Sequence, residues 1–262
     1  MPTITKALLK SVEQLAWEAG EAIMQIYRRG FSVEFKADKS PLTEADKAAH
    51  EVIADGLQMF TPDVPILSEE DTQSFKGANA HGFYWLVDPL DGTKEFIKRN
   101  DEFTVNIALI EKGRPVLGVV VAPALKLTYL AAKRLGAFKV DGDGQWQPIM
   151  ASLPPVAGQP WRVLGSRSHA NLRLSAWLGE LGKHEIRPMG SSLKACFIAE
   201  GNADVYPRFG PTSLWDTGAA QVVVEQAGGR IVTLDNHPLS YATPEQVLNP
   251  DFVVWGRSPS PR

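Results

Sequence analysis

The sequence predicts a layered α+β protein. Helices come first, then a run of antiparallel strands, then a smaller half with a mixed sheet. Three observations carry that expectation. Apolar residues recur at helical spacing in the opening segments. Strand-like runs then follow one another from Trp85 to Val140, with turn signals and one short helix start between them. Beyond a Pro/Gly-rich stretch, short apolar runs alternate with helical ones, as in an α/β unit.

Leu8, Val12, Leu15, Ala16, Ala19, Ile23 and Ile26 lie on one face of a first helix. Phe31 to Lys36 alternates weakly, as a short strand does. Ser40, Pro41, Leu42 and Thr43 open a second helix, with Val52, Ile53, Leu57 and Phe60 inside. Thr43-x-x-Asp46 has the form of a capping box at its start. Val64 to Leu67 reads as a strand ending in Ser68-Glu69-Glu70-Asp71. Such an acidic run is either a solvated loop or a cation site.

Trp85, Leu86 and Val87 form a buried strand that ends at Asp88, where Pro89 stops it. Asp91-Gly92 completes a turn, and Thr93 to Phe96 starts a helix. Phe103–Ile110 and Val116–Val121 make a hairpin. Thr128–Ala132 and Ala137–Val140 continue the antiparallel order. Ala151 to Pro160, with Pro154, Pro155, Gly158 and Pro160, marks the boundary between a domain of residues 1–153 and one of 154–262. In the second, strands are expected at 161–164, 185–187, 205–209, 230–234 and 252–255. Helices are expected at 171–181, 191–199 and 217–226.

Bulk properties exclude several classes. The chain has 262 residues, 44% hydrophobic and 22% charged, as a soluble globular protein has. A formal net charge of −3 argues against nucleic acid as a partner. The single cysteine, Cys196, can form no internal disulfide and fits a reducing compartment. Lys6, Lys10, Glu13 and Glu18 interrupt any signal-peptide core, and no apolar run approaches the ~18 residues of a membrane span. A cytoplasmic protein is expected, with peripheral attachment to the inner face of the membrane left open.

Two carboxylates three apart on a rigid turn, Asp88 and Asp91, can converge on one point, as hard cations such as Mg²⁺ require. The N–H groups of Gly92 and Thr93 would face an anion above them. The same residues also make an ordinary turn. Asp216 stands at the start of an apolar helix, where Asp is a favoured N-cap, and Gly228-Gly229 suits its end.

Taken together, Ser68-Glu69-Glu70, Asp88-Pro89-Leu90-Asp91-Gly92-Thr93, Trp215-Asp216 and the later Ala227-Gly228-Gly229 resemble the inositol monophosphatase superfamily of metal-dependent, lithium-sensitive phosphomonoesterases. The likeness covers nearly the whole chain. It implies a two-domain α/β/α/β/α sandwich of the sugar phosphatase type. It also implies that Glu69, Asp88 and the Leu90 carbonyl bind one Mg²⁺, that Asp88 bridges to a second, and that Asp91 and Asp216 complete the site. Two or three ions are expected in all. Thr93 and Glu69 would orient the attacking water, Asp46 would support Thr93, and Gly92 and Thr93 would hold phosphate oxygens.

Within the superfamily, Gly190-Ser191-Ser192-Leu193-Lys194, Tyr206-Pro207-Arg208 and Gly165-Ser166-Arg167-Ser168-His169 resemble the 3′(2′),5′-bisphosphate nucleotidase branch. That likeness implies hydrolysis of adenosine 3′,5′-bisphosphate, with its sulfated form as a further substrate and a link to sulfur assimilation. Lys194 and Arg208 would hold the retained phosphate, since cations suit a second phosphate better than a neutral polyol. Ser191, Ser166 and His169 would add contacts. Lys194 as a solvated helix residue and Arg208 as a strand-edge charge are the plain alternatives. An inositol or other sugar phosphatase is the alternative activity. The expected partner is a small nucleotide, and the protein is expected to be a monomer or homodimer.

Overall fold

A computed structural model describes residues 2–35, 41–141, 144–165 and 172–258. Two long helices, α1 (Lys6–Arg29) and α2 (Glu44–Phe60), frame a small antiparallel pair, β1 (Val33–Phe35) and β2 (Pro41–Thr43). Pro41-Leu42-Thr43 is therefore a strand and not a helix opening. Pro41 sits at the strand's first position, where its missing N–H costs least, and Thr43 is the N-cap of α2.

Seven strands follow in sheet order. They are β3 (Ile66–Ser68), β4 (Phe83–Asp91), β5 (Thr104–Glu111), β6 (Arg114–Ala122), β7 (Leu127–Ala132), β8 (Gly136–Val140) and β9 (Gln147–Pro148). Every pairing is antiparallel except β3 with β4, which is parallel. The antiparallel expectation thus fails at one edge, and β9 lacks any apolar pattern that could announce it. The one-turn helix α3 (Thr93–Ile97) leaves the end of β4.

The rest of the chain builds a mixed five-stranded sheet. Its elements are β10 (Trp161–Gly165), α4 (Leu172–Leu181), β11 (His184–Pro188), α5 (Leu193–Ala199), β12 (Val205–Arg208), α6 (Leu214–Gln226), β13 (Arg230–Thr233) and β14 (Phe252–Trp255). The order is β11-β10-β12-β14-β13. β10 runs parallel to β11 and β12, and β14 runs antiparallel to β12 and β13.

The layers follow from side-chain alternation. On β4, Phe83, Trp85 and Val87 join the core under α1 and α2, while Tyr84 and Leu86 join the core facing α5 and α6. On β14, Phe252 and Val254 face α5 and α6, while Val253 faces α4. Each sheet is covered on both faces, so its strands read as continuous apolar runs. The sequence of layers is α1/α2, seven-stranded sheet, α5/α6, five-stranded sheet, α4. The central helices and both sheets share one core. In the other core, under α1 and α2, truncating the fully buried Ile23 to Ala would cost about 2–5 kcal/mol.

Helix α6 lies against the seven-stranded sheet at very short range. A Cβ on Gly118 of β6 would stand 2.3 Å from the carbonyl oxygen of Ala219. Its start is tied down by Asn249, whose Nδ2 donates to the Ser213 carbonyl at 2.6 Å and to Thr217 Oγ1 at 3.1 Å. Tyr241 Oη donates to Thr217 Oγ1 and Gln221 Oε1 at 3.0 and 2.9 Å one turn on. Among the described residues, no helix is long and apolar enough to cross a membrane.

Candidate active site

The site grows from an irregularity in β4. Asp88 pairs with Asn106 and Asp91 with Thr104. Three steps along β4 thus match two along β5, so one extra residue is bulged out between them. Strand side chains alternate faces, and an odd separation would send Asp88 and Asp91 to opposite sides. The bulge restores both to the face that carries Tyr84 and Leu86, toward α5 and α6. Pro89 does not stop the strand. It occupies the bulge, where a residue without an N–H is tolerated. The expectation that β4 ends at Asp88 is corrected accordingly.

Asp88 is 1% exposed, and the N–H of Leu90 donates to its Oδ1 at 3.1 Å. Burial pushes its carboxyl well above the ordinary range, and Glu69, Asp91, Asp216 and Asp46 push it further. Four acids, three of them from distant stretches, therefore act on one carboxylate. Glu69 follows β3, its N–H donating to the Val87 carbonyl at 3.1 Å, which sets it beside the end of β4. Just before it, Ser68 Oγ meets His50 Nδ1 of α2 at 2.9 Å.

Asp216 arrives on α6. It is the third residue of the helix and not its cap. Ser213 is the N-cap, and its N–H donates to Asp216 Oδ2 at 2.9 Å. The sequence expectation erred because Ser213-x-x-Asp216 is a capping box whose last position is Asp rather than Glu or Gln. Burial, then Asp91, raise the Asp216 carboxyl to about 8. Asp91 is also raised by burial, but Lys194 pulls it back, helped by the Ser192 N–H at 2.5 Å from its Oδ2.

Asp46 sits at the same third position of α2. Its Oδ2 accepts from the Thr43 N–H and hydroxyl at 2.8 and 2.7 Å. Its Oδ1 receives the Thr93 hydroxyl at 3.5 Å, and that hydroxyl also reaches the Leu90 carbonyl at 3.4 Å. The cap and the support of Thr93 are thus the same carboxylate.

Lys194 is 6% exposed, which excludes the solvated-helix reading. Its Nζ donates to the carbonyls of Met189 and Ser191 at 3.3 and 2.6 Å and stands 5.2 Å above the Tyr206 ring. Burial lowers its pKa to about 8, although Asp91 holds it up. Arg208 closes β12. Its Nη2 donates to the Pro211 carbonyl at 2.8 Å, and its Nε is buried with no partner among the described residues. Both cations line one cleft with Asp91, Gly92, Ser191 and Asp216. Ser191 precedes α5 with φ of 47° instead of lying within it. Ser166 and His169 lie outside the described residues.

Several participants escaped the sequence reading. Thr104 and Asn106 reach Asp91 Oδ2 at 3.5 Å each, and Ser192 Oγ bonds both of them at 2.8 Å. Their signal was present as two polar residues, two apart, in the otherwise apolar β5. Glu102 accepts the Gly190 N–H at 2.6 Å, a contact between chain-distant loops that no local pattern announces.

All the carboxylates facing Asp88 offer hard oxygen donors, the set that Mg²⁺ takes. Among the described residues, no three His, Cys, Asp or Glu side chains stand so as to hold a metal ion. The physical reason is visible in the bonds above. Repelled by its neighbours, each aspartate turns an oxygen to a local N–H: Asp88 to Leu90, Asp91 to Ser192, Asp216 to Ser213. A divalent cation fits the charge of this cluster.

Comparison with known proteins identifies the family. Residues 5–255 match the inositol monophosphatase family. The chain is 49% identical over 249 residues to the 3′(2′),5′-bisphosphate nucleotidase CysQ of Escherichia coli, covering 94% of this chain and 99% of that protein. It is 36% identical to the Haemophilus influenzae protein of the same name, covering 98% and 95%. The crystal structure of CysQ from Bacteroides thetaiotaomicron superposes with a TM-score of 0.82 at 38% identity, covering 96% of this chain and 98% of that one. The bulged strand, the convergent acids and these matches place the chain in the inositol monophosphatase family.

Proposed function

We propose that this protein is a Mg²⁺-dependent phosphomonoesterase that hydrolyses adenosine 3′,5′-bisphosphate to AMP and phosphate, and its sulfated form to the corresponding sulfated monophosphate. The observation that carries the reading is a single cleft in which two half-buried aspartates, Asp91 and Asp216, face two cations, Lys194 and Arg208. The acids suit a metal-assisted phosphoryl centre, and the cations suit a second phosphate. The names of the 49% identical relatives support the same substrate class.

Glu69, Asp88, the Leu90 carbonyl, Asp91 and Asp216 would hold two or three Mg²⁺. Bound there, Mg²⁺ would neutralise phosphate charge and make water a competent nucleophile near neutral pH. The protein's own part is orientation. The Thr93 hydroxyl, which donates its hydrogen toward Asp46 and the Leu90 carbonyl, accepts a hydrogen bond from the attacking water on one side, and the Glu69 carboxylate accepts one on the other. The N–H groups of Gly92 and Thr93 donate to the oxygens of the scissile phosphate. Because α3 has only five residues, these are individual donors and not the end of a long dipole. Water oxygen bonds to phosphorus, the bond from phosphorus to the ribose oxygen breaks, and a solvent proton completes the sugar hydroxyl. Lys194 has a third N–H beyond its two carbonyl partners, and Arg208 has an unused Nε. Both turn to the phosphate that stays.

A substrate panel tests this. Phosphate release is measured from adenosine 3′,5′-bisphosphate, its sulfated form, inositol monophosphate and fructose 1,6-bisphosphate, with Mg²⁺ and after chelation. The bisphosphate should be preferred, activity should vanish with chelator, and millimolar Li⁺ should inhibit. Preference for inositol monophosphate, or release without divalent metal, would refute the assignment.

A further inference from the structure

One carboxylate in the cleft has no part in the scheme above. Glu95 of α3 lines the cleft beside Gly92, Ser191, Lys194 and Asp91 and is half-buried. Among the described residues, its carboxylate takes a hydrogen bond only from its own backbone N–H. Lys194 and Lys98 reach it through space alone, and burial raises its carboxyl above the usual range. Its place in the cleft depends on Gly190. A Cβ there would stand 2.5 Å from Glu95 Cγ and 3.0 Å from its Cδ. Any larger residue at 190 would expel the carboxylate or the loop.

A cleft for phosphates gains nothing from an additional negative charge, which repels them. A desolvated carboxylate is instead an acceptor in search of a donor. Glu95 is the third residue of α3, three positions after its N-cap Gly92, and both line the same cleft. A phosphate seated on the Gly92 N–H would therefore bring its sugar into the cleft that Glu95 lines. In a ribose phosphorylated at either the 3′ or the 2′ position, the neighbouring carbon carries a hydroxyl. The names of the curated relatives include both positions.

We propose that Glu95 accepts a hydrogen bond from the ribose hydroxyl next to the scissile ester, and so makes the enzyme select ribonucleotides over deoxyribonucleotides. This rests on the nucleotide reading. A site built around a hydroxyl rejects the analogue that lacks it, because the acceptor is then left unpaired.

The experiment compares kcat/KM for adenosine 3′,5′-bisphosphate and 2′-deoxyadenosine 3′,5′-bisphosphate, with Mg²⁺, in the unaltered protein, Glu95→Gln and Glu95→Ala. The unaltered protein should favour the ribonucleotide by about tenfold or more. Glu95→Ala should bring that ratio close to one, and Glu95→Gln, which keeps an acceptor oxygen, should fall between. Because the readout is a ratio within one protein, partial misfolding does not imitate it. Equal rates on both nucleotides in the unaltered protein, or an unchanged ratio in Glu95→Ala, would overturn the inference and leave the nucleotide reading standing. Release from neither nucleotide would overturn both.

Discussion

The starts of α2 and α6 are built alike and used differently. Each has a hydroxyl residue at the N-cap, Thr43 or Ser213, and an aspartate three positions on, Asp46 or Asp216. In both, the aspartate accepts the N–H of its cap. Asp46 then binds the hydroxyls of Thr43 and Thr93, so its charge is met by donors. Asp216 instead faces Asp91, Asp88 and Glu69, and its carboxyl rises to about 8. A capping motif therefore fixes where a carboxylate sits and says nothing about what it serves. Only the neighbours decide that: a threonine in one case, three acids in the other.

That contrast can be broken by substitution. Asp216→Asn should lower kcat/KM by about 10³-fold or more, since it removes a charge from the proposed metal site. The melting temperature of the metal-free protein should hold or rise, because the lost charge was repelled. A comparable loss of stability and activity together would mean that Asp216 is chiefly a cap. Asp91→Asn should behave in the same way. Asp46→Asn should cost less, about 10–100-fold, because it acts through the Thr93 hydroxyl. Thr93→Ala should then add little to it in a double-mutant cycle. Additive losses would show that the two residues act separately.

Smaller effects sharpen the picture on the cationic side of the cleft. With Lys194 lowered to about 8, its charge disappears as pH rises through that value, well below the ordinary lysine range. The profile of kcat/KM for the bisphosphate should fall above about pH 8, and Lys194→Met should lack that limb at a lower overall value. A limb that persists in Lys194→Met would belong to another group. Glu102→Ala frees the Gly190 N–H that holds the loop carrying Ser191, just before Lys194 of α5. It should raise KM by about three- to tenfold with a lesser change in kcat, and Glu102→Gln should restore most of the difference. Equal effects of Ala and Gln would point to charge rather than to the hydrogen bond.

Much of the fold is legible in the residues. The helical spacing of α1, the strand runs of β4 to β8 and the alternation after Pro160 reflect local periodicity, which burial enforces directly. The acids stood out because charged residues ended apolar runs. What stayed hidden depended on pairings across the chain. The bulge at Pro89 exists only relative to β5, and Pro89 alone read as a stop. Asp216 looked like a cap for a different, local reason: the box that begins at Ser213 ends in Asp rather than in the usual Glu or Gln. The clasp between Glu102 and Gly190 joins loops 88 residues apart in sequence.

Gly118 shows how far such dependence extends. It performs no chemistry and lies in the interior of β6, yet Ala219 presses on it, one turn along from Asp216. A single methyl at that strand would lift α6 and draw its aspartate out of the acidic cluster. The protein's vulnerability to inactivation thus reaches into its scaffold, at a residue that a survey of polar side chains would pass over.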